Sequence, residues 1–107
     1  MTPLQAWNMI VDKLKGTQLE FPTVPKIKKT PIWFSATSDG KAVFIDNAIE
    51  NKPSCQLSMP RKLTYKTFEK VYPLYLRREN GERISNEVAS VTVNQVYYFS
   101  LIKHLCQ

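Results

Sequence analysis

The stretch "IWFSATSDGKAVFID", residues 32–46, decides the fold. Two runs rich in strand formers flank Asp39-Gly40, and Asp-Gly between such runs is a strong hairpin signal. Side chains alternate along a strand. Ile32, Phe34 and Ala36 therefore share one face of the first run, and Val43 and Ile45 share one face of the second. A third run, "SCQLSM" at residues 54–59, alternates Cys55, Leu57 and Met59 with Ser54, Gln56 and Ser58. Together these runs predict a small antiparallel meander of about three strands with helices on one face.

The helices are signalled on both sides of it. Thr2, Pro3 and Gln5 make a T-x-x-Q capping box with proline at the first helical position. Leu4, Trp7, Ile10 or Val11, and Leu14 recur at helical spacing, and Gly16 follows as a stop. The expected helix covers about residues 3–15. Residues 17–31 hold Pro22, Pro25 and Pro31 with Lys26, Lys28 and Lys29, which predicts an extended connection. After the strands, Thr64 can cap a helix over 65–79, with Leu63 and Phe68 placed as a hydrophobic staple. Asn80-Gly81 would end it. The rival reading makes "LYLRRENGERIS" a hairpin turning at Asn80-Gly81. Thr92 and Gln95 form a second capping box, for a helix over about 93–105. The fold class is α+β: an N-terminal helix, the meander, and two to three C-terminal helices on one sheet face, in a single domain spanning 1–107.

The totals agree. A chain of 107 residues with 43% apolar and 22% charged residues is one globular domain. No run approaches the ~20 apolar residues of a membrane span. The opening "MTPLQAWNMIVDKLKG" is amphipathic rather than leader-like. Cys55 and Cys106 lack any partner motif. The expectation is a cytoplasmic protein with reduced thiols and no membrane partner.

Charge is where function enters. The chain carries +6 formally. Residues 61–83 hold seven basic side chains against Glu69, Glu79 and Glu82, whereas residues 84–107 hold only Lys103 against Glu87. On one helix, Lys66, Lys70 and Arg77 fall within about 40° of each other. With Arg61, Lys62 and Arg78 they could supply four to six phosphate contacts along a nucleic-acid backbone. The plainer reading is a solvated helix face. The leading expectation is a small non-enzymatic module that binds nucleic acid through this ridge, independently of sequence because it offers cations and no base-reading set.

The C-terminal helix supports a second reading. Val93, Val96, Tyr97, Tyr98, Phe99, Leu101, Ile102 and Leu105 surround its axis, and a helix apolar all round is buried. This argues against a helix-turn-helix, whose second helix must show polar groups to base edges. It also leaves Tyr97, Tyr98, Phe99 and Ile102 as a candidate homodimer contact for a protein-interaction role. Trp33 lies opposite Phe34 on its strand and is expected to be partly exposed. No catalytic motif or cofactor motif is present. His104 stands alone, and two cysteines with one histidine make no zinc set.

Overall fold

The computed structural model describes residues 1–25 and 29–106. Lys26 and Lys28 of the basic connection lie outside them. Helix α1 spans Pro3–Leu14. Its capping box forms as expected: Thr2 Oγ1 accepts from the Gln5 N–H at 3.1 Å, and Gln5 Oε1 accepts from the Thr2 N–H at 2.8 Å. Ala6, Trp7, Ile10, Val11 and Leu14 are its buried stripe.

The sheet has four strands, one more than expected. They are β1 (Leu19–Pro22), β2 (Trp33–Ser38), β3 (Val43–Asn47) and β4 (Arg61–Leu63). The order is β1-β2-β3-β4 and every pair is antiparallel. The central hairpin falls where Asp39-Gly40 placed it. Asp39 Oδ1 accepts from the N–H groups of Lys41 and Ala42, both at 2.9 Å, and Gly40 takes a φ of 101° that disfavours other residues.

The third predicted strand is corrected. Residues 54–59 are not a strand; Ser54 makes one isolated parallel bridge to Trp33. The Asn47 side chain meets the Leu57 backbone twice, accepting from its N–H at 2.7 Å and donating to its carbonyl at 3.1 Å. A side chain thus takes the place of a ladder there. The partner of β3 is instead the three-residue β4, with Val43 opposite Leu63 and Ile45 opposite Arg61. Strand β1 was hidden by Pro22, which ends it at the sheet edge, where a missing N–H is tolerated.

Three helices follow: α2 (Tyr65–Glu79), α3 (Ser85–Val91) and α4 (Gln95–Leu105). The hairpin alternative at Asn80-Gly81 is not formed. Pro73 sits exposed in α2, while Phe68, Val71, Tyr72, Leu74 and Tyr75 are buried on the other side. A proline removes one helical hydrogen bond, and here the gap faces solvent. Helix α4 starts two residues later than expected, because Thr92 Oγ1 accepts from the Asn94 N–H at 3.0 Å instead of capping Gln95.

The register puts Phe21, Phe34, Ala36, Val43, Ile45 and Leu63 on one face, in one buried cluster with the helices. Trp7 lies 5.0 Å from Phe68, and Phe34 lies 5.1 Å from Tyr97, between ring centroids. Fully burying such side chains stabilises by about 1.5–3 kcal/mol each. The opposite face carries Trp33, which is half-buried as expected, with Thr37, Phe44 and Lys62.

Candidate polyanion-binding surface

Lys66, Lys70 and Arg77 do share one stripe of α2, but three of the six predicted cations, Arg61, Arg77 and Arg78, are engaged within the chain. Arg77 is held by carboxylates. Its Nη1 is 2.7 Å from Glu87 Oε2, its Nη2 is 2.9 Å from Glu87 Oε1, and its Nε is 3.0 Å from Glu82 Oε1. These bonds hold the guanidinium even more firmly charged than usual, with Glu87 contributing most and Glu82 next. The same contact holds the Glu87 carboxyl below its ordinary range. Arg78 is built into the fold. Its side chain is only 13% exposed, Nη2 donates to the Val24 carbonyl at 2.7 Å, and the guanidinium sits 5.0 Å over the Phe99 ring. Arg61 is half-buried and donates from Nη1 to Asn94 Oδ1 at 2.8 Å, tying β4 to the start of α4.

Three members of the ridge remain available: Lys62, Lys66 and Lys70 are all exposed. Two lysines that sequence reasoning did not include join them from other elements. The register pairs Val43 with Leu63 and Phe44 with Lys62. Trp7 links Lys41 to the start of α2: its Nε1 donates to the Lys41 carbonyl at 3.2 Å, and its ring is 6.5 Å from that of Tyr65, the neighbour of Lys66. Lys15, just past α1, lies along the hairpin tip, pairs with Ser38 and runs its side chain beside Gly40. Among the described residues, none of these five lysines has a carboxylate at salt-bridge distance.

Two nearby acids are occupied. Asp39 is held below the usual carboxylate range, first by the Ala42 N–H, then by the Lys41 N–H, with a smaller contribution from the charge of Lys62. Glu69 Oε2 accepts from the Tyr65 hydroxyl at 3.1 Å. The N-terminal end of α2 adds its partial positive charge at Lys66. At the other end of α2, Arg77, Arg78, Arg83 and Lys103 stand against Glu79, Glu82 and Glu87. Among the described residues, carboxylates offset most of the positive charge there, and none is at salt-bridge distance from the five lysines around the start of α2 and the β2–β3 tip.

The predicted dimer contact is also corrected. Tyr97, Tyr98, Phe99 and Ile102 are 9%, 2%, 6% and 1% exposed within the single chain. The sheet, α1 and α2 already cover them, so they leave no face for a second copy. The same burial removes α4 as a helix that could read a nucleic-acid groove. The cysteines are free and half-buried, and burial pushes the Cys106 thiol up to about 11. Among the described residues no group of three or more His, Cys, Asp or Glu is placed to hold a metal ion, and no helix is long and apolar enough to cross a membrane. Comparison of the chain with protein families, with characterised proteins and with solved structures finds no match.

Proposed function

We propose that this chain is a small non-enzymatic binding module that holds nucleic-acid phosphates on the lysine surface formed by Lys15, Lys41, Lys62, Lys66 and Lys70. The observation that carries the reading is the contrast between the two ends of α2. At the C-terminal end Arg77 and Arg78 are neutralised or packed, whereas the lysines at the N-terminal end face solvent with no carboxylate at salt-bridge distance among the described residues. Ammonium groups of this kind act as point charges on phosphate and read no base edges. Binding is accordingly electrostatic and independent of sequence.

Fluorescence anisotropy of labelled duplex and single-stranded oligonucleotides, titrated with salt, tests this. Three to five phosphate contacts give a slope of log K against log salt of about −2.7 to −4.5 on duplex. Pairing Lys62→Glu with Lys66→Glu abolishes binding, whereas Arg77→Ala leaves it nearly unchanged. No binding at about 50 mM salt overturns the proposal. Equal sensitivity to Arg77→Ala would overturn this placement of the surface.

A further inference from the structure

We infer a separate ligand site at the opposite end of α2: the groove between Val24, the end of α2, α3 and the start of α4 takes a small organic carboxylate with an apolar body. The groove encloses about 610 Å³, within the ~300–1,000 Å³ usual for small-molecule sites. Its apolar wall is made by Val24, Ile84, Val88 and Phe99, with Val96 at the rim. Val96 is 45% exposed although it stands at the start of a helix that is otherwise mostly buried.

The charge in this groove sets the ligand class. Arg78 lines it, with its guanidinium fixed over Phe99 and by the Val24 carbonyl. Glu79 Oε1 lies 3.6 Å from its Nη1 and offsets part of that charge. Arg83 lines the same groove, is exposed, and has no carboxylate at salt-bridge distance among the described residues. A planar guanidinium presents a fork of donors that matches a carboxylate. One free guanidinium beside an apolar wall suits one carboxylate on a hydrocarbon body. It does not suit a polyanion, because Glu82 lines the groove beside the two arginines.

The test is a ¹H–¹⁵N titration of the whole chain with octanoate, and with 1-octanol as its neutral counterpart. Octanoate gives saturable shifts at the amides of Ile84, Val88, Val96 and Phe99. Arg83→Ala weakens octanoate by about tenfold, the loss expected when a hydrogen bond to a charged group is removed, and 1-octanol binds correspondingly worse than octanoate. Val96→Asp, a rim change that leaves the core intact, also weakens octanoate by placing a like charge beside it. Linear, unsaturable shifts overturn the inference, as do saturable shifts elsewhere on the chain. It is equally overturned if 1-octanol matches octanoate and Arg83→Ala changes nothing. Along the α2 axis, Lys66 and Lys70 of the proposed phosphate surface lie about 18 Å and about 12 Å from Arg78. Either reading can therefore fail without the other.

Discussion

Glu20 shows how much one side chain can organise. Standing on β1, its carboxylate accepts from the N–H groups of Ile49, Glu50 and Asn51 at 2.7, 3.1 and 3.0 Å, and from Asn51 Nδ2 at 2.8 Å. It thereby pins the start of the return from β3 across the sheet. These bonds favour the charged form, led by that from Ile49, and lower the Glu20 pKa from 4.5 to about 2. The folded value lies below the unfolded one. Its contribution to stability is therefore complete above about pH 4.5 and drains away as pH falls towards 2. We expect Glu20→Gln to flatten the thermal stability profile between those limits, and the Glu20 carboxyl to titrate near 2 by NMR. A Glu20 titrating near 4.5 would contradict the geometry. Nothing near Glu20 in the sequence announces this role, because its partners lie some thirty residues away. Thr2 and Gln5 were readable for the opposite reason: a capping box is local, and three residues of spacing define it completely.

Elements divide along the same line. Helix α2 was readable from periodicity, even through Pro73, because its apolar residues lie opposite the proline. Its cap was not. Thr64 occupies the N-cap but makes no side-chain cap bond. The Tyr98 hydroxyl of α4 meets the Thr64 backbone instead, accepting from its N–H at 3.1 Å and donating to its carbonyl at 3.3 Å. Tyr98 is 2% exposed, so water does not readily replace it. Tyr98→Phe should lower stability by about 1–2 kcal/mol. Urea denaturation would show this as a lower midpoint with an unchanged slope, and no loss would mean that α2 needs no cap from α4. Strands β1 and β4 escaped the sequence reading because they are short and take their stability from neighbours. Arg61–Leu63 contains two cations and one leucine, a pattern that looks like a helix approach until β3 is beside it. The run at 54–59 misled for the converse reason. Its alternation is real, with Cys55 and Leu57 packed against the core, but it lacks a ladder.

At the scale of the molecule, a charge count along the chain found the basic excess but not which of its cations are engaged within the fold. Clustering in residues 61–83 says nothing about which cations meet carboxylates: Arg77 finds Glu82 in the turn after α2, and Glu87 because α3 folds back beside α2. Nor could it show that Lys15 and Lys41 converge, since that depends on strand register and on the packing of α1. What emerges is a division of labour between the two basic residue types. Guanidinium groups at 61, 77 and 78 are building material, whereas ammonium groups at 15, 41, 62, 66 and 70 stand clear of the architecture. Two residues depart from this pattern: Arg83 is exposed, and Lys13 donates from Nζ to the Leu105 carbonyl at 2.8 Å. Acetylation erases an ammonium charge and cannot touch a guanidinium. Complete acetylation should therefore silence oligonucleotide binding while circular dichroism still reports the native helices and strands, apart from a small drop in melting temperature traceable to Lys13. Loss of the native spectrum would mean that these amines are holding the fold together after all. Such a molecule could be switched off electrically with its skeleton left standing, which an arginine-built surface would not permit.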